Sequence, residues 1–170
     1  MLRSLMRPGG WWIRAQERHF HSRGLELSTV DREMLRGYYS DEVLSEVRLH
    51  RLRAEPSTRI VVPLVLQRMT GITLGRAIVI AAHAPDRGAA WSRLLFHELV
   101  HVVQFNLLGI DEFAARYVGG WTRNGFRYRD IPLERHAYTL EARFAGDPTG
   151  GFSVEAEVRR QLYGSAITET

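Results

Sequence analysis

Two histidines and a glutamate interrupt an apolar run between Leu94 and Gln104. His97 and His101 are four residues apart, so on a helix their imidazoles lie one above the other on one face. Two imidazoles at this spacing can bind one Zn²⁺, and Glu98 projects beside the metal without ligating it. From there Glu98 can take a proton from water and return it to a leaving amine. We therefore predict a zinc-dependent hydrolase, most plausibly a peptidase, with Glu98 as its general base.

The third metal ligand must come from elsewhere in the chain, because a catalytic zinc site takes three protein ligands and leaves one position open. Glu134, in the first turn of a predicted helix that starts at Pro132, is the residue that we favour. Ala137 offers a small side chain where this helix must approach the first one closely. His136 and Glu141 are the alternative ligands. Glu141 is seven residues from Glu134, so it shares a helix face with it and is also suited to orient a histidine.

These motifs resemble those of known families. HExxH followed by a distant helical glutamate resembles the gluzincin clan of zinc metallopeptidases. The segments TLGRAIVI, HELVHVVQ and PLERHAY look like those of bacterial HExxH-domain proteins, including the domain of unknown function 4157 group, over residues 43–144. The resemblance implies a metallopeptidase with His97, His101 and Glu134 as ligands and Glu98 as base. It also implies a peptide or protein substrate that pairs, extended, with the strand before the helix.

Two roles near the metal stay open. Gluzincins often have an aspartate four residues after the third ligand, orienting a histidine, and this chain has Tyr138 at that place. A backbone carbonyl or another carboxylate must then orient the histidine, and the candidates are Asp111, Asp130 and Glu141. The candidates for stabilising a tetrahedral intermediate are Tyr117, His136 and Tyr138. For each of the last three, packing in the core or at the surface is the ordinary alternative.

The helices and strands that the sequence predicts around these residues indicate an α+β domain. Ser28 and Ser40 are suited to cap two short helices, and residues 46–53 alternate like a half-buried strand. The apolar pattern of residues 72–82 predicts one strand, or two strands on either side of Gly75. Helices are predicted over residues 56–69, 89–108, 111–121, 133–144 and 154–163. The expected fold is zincin-like, with a small sheet packed on the HExxH helix and a mostly helical C-terminal half.

Charge divides the chain into a basic N-terminal arm, 1–24, and a single zincin-like domain, 25–170. Residues 1–23 hold five arginines and one acid, which accounts for the net charge of +4. The rest of the chain is neutral, so no nucleic-acid partner is expected. The arginines of the arm, with Trp11 and Trp12, suit contact with a partner or a membrane surface, although we favour packing onto the domain.

Composition sets further expectations. The chain has no cysteine, so disulfides and thiolate ligands are excluded. No segment reaches the roughly 20 apolar residues of a membrane span, and no secretory signal is recognisable, which predicts a cytoplasmic protein. Secretion without such a signal is the alternative. A second functional hypothesis is a non-catalytic zinc-binding module for interaction or assembly, although a free Glu98 beside the metal argues against it.

Overall fold

The computed structural model describes residues 7–52 and 69–164, with side chains from residue 10 onward. These residues form an α+β fold with a three-stranded mixed sheet and mostly helical structure. The elements, in chain order, are α1 (Arg7–His21), α2 (Thr29–Leu35), α3 (Asp41–Glu46), β1 (Arg48–Arg51), β2 (Gly71–Leu74), β3 (Ala77–Ile80), α4 (Gly88–Arg123), a 3₁₀ turn (Tyr128–Asp130), α5 (Pro132–Gly146) and α6 (Val154–Tyr163). The helix predicted over residues 56–69 lies almost wholly outside the described residues.

The short helices α2 and α3 begin at the capping serines that the sequence predicts. The Ser28 hydroxyl accepts a hydrogen bond from the backbone N–H of Asp31, and that of Ser40 accepts one from Val43. Each bond satisfies one of the amides that a helix start leaves without an intrahelical partner.

The sheet has the strand order β1-β3-β2. β2 and β3 form an antiparallel hairpin, and Gly75 supplies the positive φ of 63° that its two-residue turn requires. β1 pairs parallel to β3 on the other side. The strand before the HExxH helix is therefore central, and the prediction that its edge is open to a peptide is wrong. Among the described residues the two edge strands are β1, whose outer side carries one bridge between Leu49 and Leu25, and β2, whose outer side pairs with no strand.

The first part of α4 is the centre of the core. Residues 95–105 are all buried, between the sheet on one side and α5 on the other. An aromatic cluster closes one end, where Phe96 stacks on Phe144 with ring centroids 4.5 Å apart. The Tyr39 hydroxyl donates a hydrogen bond of 2.7 Å to the carbonyl of Phe96. The HExxH motif thus lies on a helix whose position is held by packing from several directions.

Gly109 breaks α4, as its position after the apolar run predicted. Its φ of 72° and ψ of 163° lie outside the helical region, in a conformation that favours glycine. After the break the chain resumes as a helix and folds back, so that Phe113 stacks on Phe105 with centroids 3.6 Å apart. This redirection carries Tyr117 toward the start of α5.

α5 begins where the second part of α4 comes close. Pro132 occupies its first turn, which suits a residue without an N–H. A Cβ at Gly120 would stand only 2.8 Å from Pro132, so a glycine is needed for this approach. Ala137 is fully buried against the core, as its small size predicted. This contact fixes the depth at which Glu134 enters the protein.

α1 covers the other face of the sheet. Phe20 is buried with Leu74, Ala77 and Val79, while Trp11 is 68% exposed. Arg14 forms a bidentate ion pair with the Asp111 carboxylate, at 2.7 and 3.0 Å. None of the described helices combines the length and the hydropathy that crossing a membrane requires.

Candidate metal centre

His97 and His101 point the same way from the buried part of α4, and Glu134 reaches them from α5. Their Nε2 atoms are 3.3 Å apart. Oε2 of Glu134 lies 3.3 Å from Nε2 of His97 and 3.4 Å from Nε2 of His101. All three residues are buried, with at most 5% of each residue exposed. We call these three residues the metal cluster, since within the described residues they are the group whose ligand atoms converge closely enough to hold a metal ion.

The dimensions of the metal cluster fit a tetrahedral ion. Bonds of about 2.0–2.1 Å, as in zinc sites, give ligand-to-ligand distances of about 3.3–3.4 Å. The three atoms form a triangle with edges of this length. Oε2 of Glu134 is buried and lacks a hydrogen-bond partner among the described residues, which is costly for a carboxylate oxygen. A bound cation would satisfy it, so these residues fit Zn²⁺.

The electrostatics of the metal cluster favour positive charge. Burial lowers the pKa of His97, but the carboxylates of Glu134 and Glu141 outweigh burial and raise this pKa to about 10. Burial raises the pKa of Glu134, but the two imidazoles outweigh it and hold this pKa well below its usual range. The same carboxylates attract a proton or a metal ion, and a metal must displace the proton to bind the imidazole.

Both imidazoles are oriented by acceptors at Nδ1. His97 Nδ1 donates to Oε2 of Glu141 at 3.1 Å, and His101 Nδ1 donates to Oε1 of Gln104 at 2.8 Å. The Gln104 amide is fixed in turn, because its Nε2 donates to the Leu133 carbonyl at 3.1 Å. Since both acceptors are oxygens that can only accept, each Nδ1 carries its proton and each Nε2 lone pair is directed at the metal position.

Three carboxylates were candidates for orienting a histidine, and Glu141 is the one that contacts a histidine in the structure. Arg93 donates to Oε1 of Glu141 through Nε at 2.9 Å and Nη2 at 2.8 Å, which leaves Oε2 for His97. Burial raises the pKa of Glu141, but hydrogen bonds from His97 and Arg93 outweigh it and lower this pKa. Arg93 was not predicted to lie at the site, although its position four residues before His97 places it on the same helix face.

Glu98 lies beside the metal cluster, with its carboxylate against β2. The Thr73 hydroxyl stands 2.8 Å from Oε2 of Glu98 and 2.9 Å from its backbone carbonyl. A Cβ at Gly71 would come within 2.8 Å of Oε1, so the missing side chain makes room for the carboxylate. Burial raises the pKa of Glu98. Neither Thr73 nor Gly71 was predicted from the sequence to lie at the site, because only their place in or beside a predicted strand marks them there.

Two tyrosines surround the other oxygen of Glu134. The Tyr117 hydroxyl donates to Oε1 at 2.8 Å, which directs Oε2 toward the imidazoles. Burial and the Glu134 charge raise the pKa of both Tyr117 and Tyr128, so both stay protonated and able to donate. Tyr117 thus contacts a ligand of the metal cluster.

A cleft of about 960 Å³ opens beside His97 and Glu98. Tyr138 lines it, with its ring centroid 4.5 Å from that of His97, and the guanidinium of Arg129 lies over the Tyr138 ring with Cζ 5.3 Å from the centroid. Gly71 and Tyr128 also line this cleft. We call Gly71, Tyr128, Arg129 and Tyr138 the cleft rim.

The structure does not bring His136 to the metal cluster. It is two residues after Glu134, which is more than half a turn around α5. Burial lowers the pKa of His136, and the charges that act on this pKa include Glu157 and Arg160 of α6. Asp111, another candidate from the sequence, pairs with Arg14. Of the residues considered for the neighbourhood of the metal, Glu141, Tyr117 and Tyr138 contact members of the metal cluster.

Comparison with known proteins gives one family match. A family model described as the eCIS core domain, for extracellular contractile injection system, matches residues 27–106. The matched span runs from before α2 through the HExxH motif and ends before Glu134. These residues make up just under half of the chain. No curated protein and no solved structure matches.

This match corrects the resemblance drawn from the sequence. The matching family is the eCIS core domain rather than the gluzincin clan or the domain of unknown function 4157 group, and it does not support classifying the chain as a zinc metallopeptidase. The HExxH motif and a distant glutamate allow two imidazoles and a carboxylate to converge on a metal. Unrelated families can share this geometry, so the motif alone does not identify a family.

Proposed function

We propose that this chain is a zinc-dependent hydrolase in which the metal cluster holds Zn²⁺ and Glu98 is the general base. The observation that carries the proposal is the triangle formed by two Nε2 atoms and one carboxylate oxygen, with a further carboxylate beside it. A zinc ion in such a site supplies Lewis-acid chemistry and lowers the pKa of water. If these ionisable groups only packed, Oε2 of Glu134 would have no hydrogen bond and would depend on the charge of the two imidazoles, at 3.3 and 3.4 Å.

Glu98 would accept the proton of the attacking water and deliver it to the leaving group. Its carboxylate lines the cleft, and Thr73 holds one of its oxygens. The space left by Gly71 sets the position of the other oxygen. A base held between a hydroxyl and a glycine keeps its orientation without ligating the metal, which is what repeated proton transfer requires.

The surroundings of β2 support a peptide segment as the substrate and a zincin-like arrangement of sheet and helix. β2 lies beside Glu98, and its outer edge is unpaired among the described residues. An extended peptide can add to such an edge through backbone hydrogen bonds, with its side chains alternating toward and away from the cleft.

The family match favours a second candidate, a non-catalytic metal-binding component of a contractile injection system. The eCIS core domain match includes the two histidines. In that case the metal would tie α4 to α5, and Glu98 would have no chemical role. The two candidates therefore differ in what they predict for Glu98.

The test compares wild type with Glu98→Gln after zinc loading, with zinc per chain and turnover of a peptide library as readouts. We expect Glu98→Gln to keep its zinc and to lose about a hundredfold or more in turnover, as removal of a general base does. Glu112→Gln, which changes an exposed carboxylate of α4, is the matched control. A zinc-loaded wild type that cleaves no member of the library would instead support the non-catalytic component.

A further inference from the structure

Arg129 stands at the cleft without a counter-ion. It belongs to the 3₁₀ turn, it is exposed, and it lines the cleft. No carboxylate lies within ion-pair distance of its guanidinium among residues 7–52 and 69–164, and its packing partner is the neutral ring of Tyr138. A guanidinium in this state keeps its donors available to a bound molecule.

The other charged groups of the cleft are already engaged. Arg93 lines the same cleft, but its charge is taken up by Glu141 at 2.8 Å. Glu141 in turn accepts from His97, and Glu98 is buried against Thr73. Within the described residues, Arg129 is therefore the cleft residue whose charge no neighbour compensates.

Arg129 lies close to His97 of the metal cluster, where the bond of a substrate would be hydrolysed. Both Arg129 and His97 contact Tyr138, with 4.5 Å between the two ring centroids and 5.3 Å from the tyrosine ring to Cζ of Arg129. The guanidinium is thus within about 10 Å of the imidazole, which is the length of about three residues of extended chain. A group bound by Arg129 would belong to a residue close to the hydrolysed bond.

We propose that Arg129 forms an anion subsite that binds a carboxylate of the peptide substrate within about three residues of the hydrolysed bond. The carboxylate is that of an acidic side chain or of a free C-terminus, because both fit the planar pair of guanidinium donors. This inference rests on the proposed hydrolase function and adds a preference for acidic substrates to it. Tyr138 is the positioning residue that holds the guanidinium at the cleft.

The experiment measures binding, so that it does not depend on turnover. The zinc-loaded Glu98→Gln protein is titrated against short fluorescent peptides that differ only by glutamate or glutamine at one position, scanned along the peptide. A second pair differs by a free or an amidated C-terminus. Arg129→Gln is made in the same background, and Arg135→Gln on α5 is the control, since Arg135 is exposed and does not line the cleft.

We expect one peptide pair to bind more tightly in its acidic form, by about three- to tenfold, as for a charge pair in a partly exposed site. Arg129→Gln should abolish this ratio and leave the binding of the neutral peptide unchanged, and Arg129→Lys should keep part of it. Arg135→Gln should keep all of it. Which pair responds tells an internal acidic residue from a free C-terminus.

Equal binding of acidic and neutral forms, no binding of any peptide, or a ratio that survives Arg129→Gln would overturn the subsite. A neutral peptide that also binds more weakly to Arg129→Gln would show that the arginine only supports the packing of Tyr138, and would overturn it too. Failure of the hydrolase proposal has a different outcome, since the acidic preference would persist while wild type cleaves nothing.

Discussion

The metal cluster and the cleft rim differ in how they are built, although they face the same space. Each member of the metal cluster is at most 5% exposed, and the polar atoms around it are paired in a chain from Leu133 through Gln104 to His101. In the cleft rim Gly71 is buried, but Tyr128 and Tyr138 are partly exposed, and Arg129 is exposed with its guanidinium over the Tyr138 ring. On the function proposed above, metal binding would depend on the buried parts of α4 and α5, whereas substrate binding would depend on the residues of the cleft rim.

The largest effect on metal binding is expected from Glu134→Ala. It removes the one proposed ligand that comes from α5. Zinc affinity should therefore fall by more than about a hundredfold, which exceeds the loss on removing a residue that only hydrogen-bonds to a ligand. Competition with a chelator of known affinity measures this change. Glu112→Ala is the control, and a zinc affinity in Glu134→Ala equal to that of the control would remove Glu134 from the metal cluster.

Gln104→Leu should weaken zinc binding by about 10- to 100-fold, because it removes the acceptor that orients His101. It also leaves the Leu133 carbonyl without its donor, which should cost about 1–3 kcal/mol in the free energy of unfolding. Chelator competition and urea unfolding measure the two effects. Gln104→Glu, which keeps an acceptor at this place, should retain more of the zinc affinity. If both variants bind zinc like wild type, the orienting role is wrong.

Gly71→Ala changes the cleft rim but leaves the three residues of the metal cluster unchanged. The new Cβ would stand 2.8 Å from Oε1 of Glu98, so the carboxylate must move. We expect a fall in turnover of about tenfold or more, as when a catalytic group is displaced, while zinc content stays at the wild-type level. Gly146→Ala, where a Cβ meets no atom within 4 Å, is the control. Loss of zinc from Gly71→Ala would show that the two regions are not separable.

The smallest effect is expected from Tyr117→Phe. It removes one hydrogen bond to Oε1 of Glu134, and zinc affinity should fall by about three- to tenfold, in keeping with about 0.5–1.5 kcal/mol for such a bond. Tyr163→Phe, which loses a hydrogen bond to a backbone carbonyl far from the metal cluster, is the control for isothermal titration. Equal affinities in the two variants would show that Tyr117 does not position Glu134.

The parts of this structure that local rules determine could be predicted from the sequence. The two imidazoles converge because a helix places residues four apart on one face, and Glu134 enters in the first turn after Pro132, as expected. The caps of Ser28 and Ser40 and the break at Gly109 also depend on neighbouring residues alone.

What the sequence did not predict depends on contacts between distant residues. β3 is central because β1 pairs with it from far along the chain, and no alternation pattern carries that information. His136 was a candidate by composition, but its direction around α5 separates it from Glu134.

The central claim is that the metal cluster holds a zinc ion, and anomalous X-ray diffraction at the zinc absorption edge tests it most directly. On crystals of the zinc-loaded protein we expect one peak about 2.0–2.1 Å from Nε2 of His97, Nε2 of His101 and Oε2 of Glu134. A peak at other residues, or crystals of zinc-treated protein with no peak between these three atoms, would contradict the account.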